Sequence, residues 1–246
     1  MEKFVYNFPG QRTVYAAQVN RVAMLPHAFL ELDIHYPRPT LVMIGGAGGM
    51  NPDELDRLNP LFIEVLVPFA EARGIAIVDG GTDSGVMKLM GQARRMLDGT
   101  FPLIGVAATG TISPPGSSST HNDSAFLEQH HSHFVLVPGS RWGSETPWIA
   151  RVAKIIAGSM PSATILINGG EITLKDAAQS VKAKRPTIVI AGSGRAADQL
   201  TDALHGEIVQ DHQINELVSS GYLQAINLTE DFDELNNVLD KIFSRE

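Results

Sequence analysis

The sequence predicts an α/β fold: a mostly parallel, doubly wound sheet with helices on both faces. Three observations predict it. Six short runs are apolar at consecutive positions, as strands buried on both faces are. Helical stretches alternate with these runs, and strand–helix alternation requires parallel pairing through right-handed crossovers. Each run ends in glycine or in a turn that contains it.

The runs come in order. Leu41-Val42-Met43-Ile44 ends in Gly45-Gly46, and Ile75-Ala76-Ile77-Val78 ends in Asp79-Gly80-Gly81. Leu103-Ile104-Gly105-Val106-Ala107 ends near Thr109-Gly110, and Phe134-Val135-Leu136-Val137 ends in Pro138-Gly139. Thr164-Ile165-Leu166-Ile167 ends in Gly169-Gly170, and Thr187-Ile188-Val189-Ile190 ends in Gly192-Ser193-Gly194. Between them, apolar residues at helical spacing predict helices over Pro60 to Arg73, Val86 to Leu97, Glu145 to Ala157, Leu174 to Lys184 and Ala196 to Leu204. Gly74, Gly99 and Gly158 are stop signals. Basic residues close the Leu174 to Lys184 helix, where the helix dipole favours them.

No linker divides the chain, so residues 1–246 read as one Rossmann-like domain. Residues 1–39 form an N-terminal extension, 40–205 the core and 206–246 a C-terminal strand and helix (Leu223 to Leu228, then Phe232 to Phe243). Within the extension, Thr13 to Val19 reads as an extra strand and Leu25 to Ile34 as a short helix. The Pro, Gly and Ser-rich stretch Ser113 to Thr120 reads either as a flap over the site or as a surface loop. The extension and the C-terminal unit could form a partner surface, including one for a second copy of the chain.

The chain is 43% apolar and 19% charged, an ordinary globular composition. It has no cysteine, which excludes disulfides, a thiolate nucleophile and Cys-ligated metal. A net charge of −8 argues against nucleic acid or an anionic membrane as partner. It does not argue against a small anion, which backbone N–H groups can hold. No apolar run reaches the roughly 18 residues that span a bilayer, and Met1 to Gly10 has no signal-peptide pattern. The expected location is cytoplasmic.

Ligands of open α/β sheets bind outside the carboxyl ends of the strands, where strand order reverses. Glycine there lets backbone N–H groups approach a phosphate. Two familiar motifs are missing. Gly46-Ala47-Gly48-Gly49-Met50-Asn51 lacks the third glycine of the dinucleotide fingerprint, and no Walker lysine follows any glycine turn. The first candidate contacts are Gly45, Gly46, Ala47, Gly48 and Gly49. Gly81, Thr82, Asp83, Ser84 and Gly85 are the second group. Thr82 or Ser84 can cap the next helix, and Asp83 can reach a ribose hydroxyl or act as an N-cap. Thr109 closes the third run. In Gly139-Ser140-Arg141-Trp142-Gly143-Ser144-Glu145, a base can stack on Trp142 and Arg141 can pair with phosphate; alternatively Trp142 packs on a loop and Glu145 answers the helix dipole. Gly170 and Glu171 close the fifth run. Gly192, Ser193, Gly194 and Arg195 suit a pyrophosphate, or Arg195 pairs with Asp198 or Asp202 on the surface. His130, His131 and His133 include two residues expected on one face of a strand, with no carboxylate at ligand spacing. They read as hydrogen-bonding residues at the sheet's entry, and no metal site is expected.

Four segments carry a resemblance. Gly80-Gly81-Thr82-Asp83-Ser84-Gly85-Val86-Met87, His131 to Val137, Glu145-Thr146-Pro147-Trp148 and Gly192-Ser193-Gly194-Arg195-Ala196-Ala197-Asp198 resemble the SLOG superfamily, and within it the LSDAT family. That family includes the cytosolic N-terminal region of melastatin-type TRP channels. The resemblance implies a Rossmann-like fold that binds and senses a nucleotide-derived ligand such as ADP-ribose or cyclic ADP-ribose, in a signalling role, with no further cofactor. The receiving effector is not named by the sequence. Another branch, the cytokinin-activating "lonely guy" enzymes, cleaves N-glycosidic bonds with a Pro-Gly-Gly-x-Gly-Thr-x-x-Glu turn. Here Ser140 replaces a glycine, an extra residue precedes Gly143, and Glu145 falls one or two places early. Hydrolysis of a nucleotide's N-glycosidic bond, with Glu145 or Asp83 as the acting carboxylate, is therefore the alternative.

Overall fold

The computed structural model describes residues 1–8, 13–116, 123–228 and 232–244. The strands are β1 (Glu2–Asn7), β2 (Thr13–Gln18), β3 (Thr40–Gly45), β4 (Ala76–Asp79), β5 (Leu103–Ala108), β6 (Ile112–Ser113), β7 (Ala125–Phe126), β8 (His133–Val137), β9 (Ser162–Ile167), β10 (Thr187–Ala191) and β11 (Leu223–Asn227). The α-helices are α1 (Leu25–Glu31), α2 (Pro52–Pro60), α3 (Val67–Arg73), α4 (Gly85–Met96), α5 (Thr146–Ala157), α6 (Glu171–Lys182), α7 (Arg195–Leu204), α8 (His212–Ser219) and α9 (Asp233–Phe243).

Nine strands form one sheet in the order β1-β2-β8-β5-β4-β3-β9-β10-β11. Only the outermost pair, β1 with β2, is antiparallel. From β3 the chain builds outward through β4, β5 and β8. It then returns to the other side of β3 with β9, β10 and β11. Strand order therefore reverses between β3 and β9, and this is where a crevice opens at the carboxyl edge.

Strand period 2 explains the two cores. Val42 and Ile44 of β3 face the layer of α1, α5, α6, α7 and α8, while Leu41 and Met43 face α2, α3, α4 and α9. With both faces covered by helices, polar residues are rare on the central strands. The same burial makes their sequences apolar at every position.

Three helices have other bounds than expected: α1 ends at Glu31 rather than Ile34, α6 starts at Glu171 rather than Leu174, and the largest difference is at α2. The helix expected from Pro60 begins at Pro52 and runs through a π-helical segment, Leu61–Leu66, into α3. A capping box starts it: Asn51 Oδ1 accepts from Glu54 N–H (2.9 Å) and Glu54 Oε2 accepts from Asn51 N–H (2.8 Å). Pro60 and Pro68 each lack an N–H donor, and the widened π turn lies between them. The extra strand of the extension is β2, parallel to β8. β1, α8 and the short β6–β7 pair are additions to the elements expected from the sequence. The stretch 117–120 of the Pro, Gly and Ser-rich loop lies outside the described residues.

His131 does not share a strand face with His133. β8 starts at His133, and His131 lies in the preceding turn with no exposure at all. Its Nε2 is 2.9 Å from Asp79 Oδ1 and its Nδ1 is 2.8 Å from Glu128 Oε2. Two carboxylates draw the ring inward, and Phe134 stacks on it at 5.4 Å. Burial alone would lower the imidazole pKa, but Asp79 and Glu128 outweigh it and hold it up at about 9.

Candidate functional site

A cleft of about 380 Å³ opens at the reversal between β3 and β9. That size falls within the range of small-molecule sites. The turn after β3 forms one wall, with Gly45, Gly46, Ala47, Gly48 and Gly49 all lining it. Its backbone meets α4 closely, since Val86 N–H donates to Gly46 O (3.0 Å). Gly85 sits at φ +50°, and a Cβ there would overlap Gly46 O, so only glycine closes this contact without distortion.

The turn after β4 contributes Gly80 and Thr82. Gly81 N–H donates to Asp79 Oδ1 (2.8 Å), so the Asp79–His131–Glu128 cluster shapes this turn from below. Asp83 is outside the lining and pairs with Lys88 (3.6 Å); its carboxyl is held up by burial. Ser84 occupies the N-cap position of α4 without a side-chain cap bond, and neither it nor Gly81 nor Gly85 lines the cleft. After β5, Ala107, Ala108 and Thr111 line the wall and Thr109 does not.

From the turn after β8, Trp142 and Glu145 reach the cleft; Gly139, Ser140, Arg141, Gly143 and Ser144 do not. Trp142 Nε1–H donates to Asp123 Oδ1 (2.9 Å), which fixes the indole against the loop. Ser144 Oγ–H donates to Arg141 O (2.7 Å). Gly143 N–H donates to both oxygens of Glu145 (3.0 and 3.1 Å). Burial nevertheless raises the Glu145 pKa.

Asn168, fully buried at the end of β9, ties the turns together. Its N–H donates to Ser193 Oγ (2.7 Å), its Nδ2 donates to Ser193 O (2.7 Å) and Glu54 Oε1 (3.3 Å), and its Oδ1 accepts from Gly169 N–H (2.7 Å). It stands at φ +56°, a conformation asparagine tolerates better than most side chains. Just beyond it, Gly170, Glu171, Ile172, Thr173 and Asp176 line the cleft. α6 thus points its N-terminus at the space. Among the described residues, nothing accepts from the N–H groups of Glu171, Ile172 and Thr173.

The turn after β10 behaves differently. Gly192 N–H donates to Asp198 Oδ1 (2.7 Å), and the N–H groups of Ala196 and Ala197 donate to Gly169 O and Asn168 O (3.3 and 3.2 Å). Gly192, Ser193 and Gly194 do not line the cleft, but Arg195 does. Its guanidinium lies over Gly49 and Gly170, close enough that a Cβ on either would crowd it. Neither Asp198 nor Asp202 pairs with it, and no described residue does.

Asp176 also lines the cleft, although no glycine-turn motif of the sequence contains it. It follows Thr173 by three residues, so helical period places it on the same face, a signal present in the sequence. Burial lifts its pKa to about 7; the Thr146 hydroxyl opposes this and the neighbouring Glu145 charge adds to it. Met43, Met87, Ile149 and Ile172 supply apolar wall. No group of three or more metal-ligating side chains occurs among the described residues. No helix among them is long and apolar enough to cross a membrane.

A family model described as "SLOG in TRPM, prokaryote" matches residues 38–236. The mouse transient receptor potential cation channel subfamily M member 2 is 29% identical over 195 residues, covering 65% of this chain and 13% of the channel. A subfamily M member-like 2 protein of Nematostella vectensis is 28% identical with the same coverage. A transient receptor potential channel of Caenorhabditis elegans is 28% identical over 206 residues, covering 70% of this chain and 10% of that protein. The chain thus spans about a tenth of the length of these relatives.

Proposed function

The chain belongs to the prokaryotic LSDAT family of SLOG domains, and from that premise we propose that it binds an ADP-ribose-type nucleotide in the cleft between β3 and β9 as a sensor. The observation that carries this is the facing pair of anion-binding elements. The Arg195 guanidinium has no partner among the described residues and lies beside Gly170, where α6 begins with three free N–H groups. A helix N-terminus and an arginine converging on one cleft suit a pyrophosphate. In this reading the phosphates lie at Gly170 to Thr173, with Arg195 reaching over from α7. The adenosine lies along Gly45 to Gly49, Gly80 and Thr82. Trp142 is the aromatic wall.

Thermal denaturation with and without ligand tests the reading. ADP-ribose, cyclic ADP-ribose, NAD and AMP are each added in large excess. Ligand at 100 times its Kd stabilises the fold by about 2.7 kcal/mol. A shift with ADP-ribose or its cyclic isomer is expected, and no shift with any of the four removes the proposal. A second reading, N-glycosidic hydrolysis of the nucleotide, is favoured by one observation: Glu145 and Asp176 are neighbouring carboxyls in the same cleft, both with raised pKa. Chromatography of AMP and NAD after incubation decides it. Released base or nicotinamide, lost in Glu145→Gln, supports hydrolysis.

A further inference from the structure

We propose that Asp176 and Glu145, with the Thr146 hydroxyl, form a sugar subsite that takes the vicinal diol of a ribose. The proposal rests on the nucleotide reading of the cleft and names which part of the nucleotide this end receives.

Three features converge there. Asp176 lines the cleft, and its Oδ1 is buried without a hydrogen-bond partner. Thr146, 5% exposed, has a buried hydroxyl that is likewise unpartnered at hydrogen-bonding geometry and lies beside the Asp176 carboxyl. Glu145 lines the same end, its oxygens anchored by Gly143 N–H. Buried polar groups are nearly always satisfied, so an unpartnered Asp176 oxygen in the cleft lining, with the unpartnered Thr146 hydroxyl behind it, calls for polar atoms from a ligand. The partner must both donate and accept. A phosphate only accepts and would meet two carboxyl groups, so it belongs at Arg195. An ammonium only donates and would leave an Asp176 proton unused. A vicinal diol matches: one hydroxyl donates to the Glu145 carboxylate, and the other accepts from a protonated Asp176.

The charges around Asp176 are consistent with a retained proton. α5 presents Glu145, which favours the neutral acid. α6 itself carries Glu171, engaged by Lys175 (2.7 Å). α7 offers Arg195, over Gly49 and Gly170. α8, packed on α6, has His212 and Glu216, which pair with each other on the surface. The strands β3, β9 and β10 carry no titratable residue. The acid titrates at about 7, so the subsite is competent below neutrality and loses its donor above it.

The experiment is titration calorimetry with ADP-ribose at pH 6.0 and 8.5, on the wild type, Asp176→Asn and Asp176→Ala. The diester pyrophosphate of ADP-ribose stays fully ionised across this interval. An acid titrating at about 7 is roughly nine-tenths protonated at pH 6.0 and about three-hundredths protonated at pH 8.5, so apparent affinity should fall by about 30-fold. Asp176→Asn keeps a donor and should bind equally at both values. Asp176→Ala should be weak at both. Periodate-cleaved, borohydride-reduced ADP-ribose has the same charge without a vicinal diol, and it should bind the wild type weakly and without pH dependence. Equal wild-type affinity at both pH values, the same fall in Asp176→Asn, or undiminished binding of the cleaved ligand overturns the subsite. If ADP-ribose binds and Arg195→Ala weakens it while Asp176 variants change nothing, the nucleotide reading stands and this one fails. If the wild type binds neither ligand, both fail. Should Asp176→Ala not fold, the isosteric Asp176→Asn profile decides alone.

Discussion

Raising pH through 9 should destabilise this protein by a predictable amount, because His131 is an imidazolium locked between two buried carboxylates. The ring has no exposure, and both nitrogens are within 3 Å of Asp79 or Glu128 oxygens, at 2.9 and 2.8 Å. Its folded pKa of about 9 stands against an unfolded value of 6.5. A pKa raised on folding adds stability that is complete below 6.5 and lost as pH rises through 9. The proton affinity gained on folding is worth about 3 kcal/mol. For a domain of this length that corresponds to a melting temperature about 10 °C lower at pH 9.5 than at pH 6.5. The assay is urea denaturation at half-unit steps from pH 6 to 9.5, on the wild type and His131→Gln. The glutamine cannot titrate, so its stability should lack this slope. It should also be lower at pH 6.5 by about 3–5 kcal/mol, since two buried carboxylates are left without their cation. A wild-type profile flat from pH 6.5 to 9.5, or the same slope in His131→Gln, would show that the ring is neutral and the reasoning wrong.

Three further outcomes follow from the same geometry. Arg195 is held at φ +55°, so Arg195→Gly should stabilise the free protein by up to about 1 kcal/mol while weakening ADP-ribose binding by about 1.5–3 kcal/mol; Arg195→Lys should recover part of that affinity, and calorimetry with melting curves reads both. Asn168→Ala removes side-chain bonds that join the turns after β9 and β10 to α2, and should cost about 2–3 kcal/mol in chemical denaturation, with binding lost in parallel. Asp176 has a folded pKa raised from 3.8 to about 7, so it destabilises the fold increasingly as pH climbs between those values; Asp176→Asn should be no more stable than the wild type near pH 4 and more stable above pH 7, by at most about 4 kcal/mol in melts of the two proteins.

The central sheet was legible because both of its faces are covered. Leu41 to Ile44 and Thr187 to Ile190 need apolar residues at every position, and the sequence shows them. The missed elements lack that signature. α8 buries only Ile214 and Leu217, too few to set a helical period. β1 is an edge strand in which every residue from Glu2 to Asn7 is exposed or half-buried, so no burial disciplines its sequence. The start of α2 was hidden by Pro60. A proline reads as a first helical position, whereas here the helix passes through it and takes up the missing bond in a π turn.

The site was legible as an edge and not as a surface. Glycine turns mark where backbone donors gather, but a motif does not show which of those donors already have an acceptor. Gly81 N–H is engaged by Asp79, Gly143 N–H by Glu145 and Gly192 N–H by Asp198. Each acceptor is a carboxylate close in sequence, two or six residues from its glycine, and each bond holds the turn instead of a ligand. Three of the glycine turns with the strongest phosphate-binding appearance are therefore partly internal supports. In the turn after β9 the glycine N–H groups are engaged too, Gly169 by Asn168 Oδ1 (2.7 Å) and Gly170 by Thr173 Oγ1 (3.3 Å), but no carboxylate occupies the start of α6: Glu171 is tied to Lys175 on the helix surface. The N–H groups of Glu171, Ile172 and Thr173 consequently remain available, at the one place where strand order reverses. Counting glycines ranks these turns as equals. Following each donor to its acceptor places the unengaged donors in the first turn of α6 and not in the glycines that precede it.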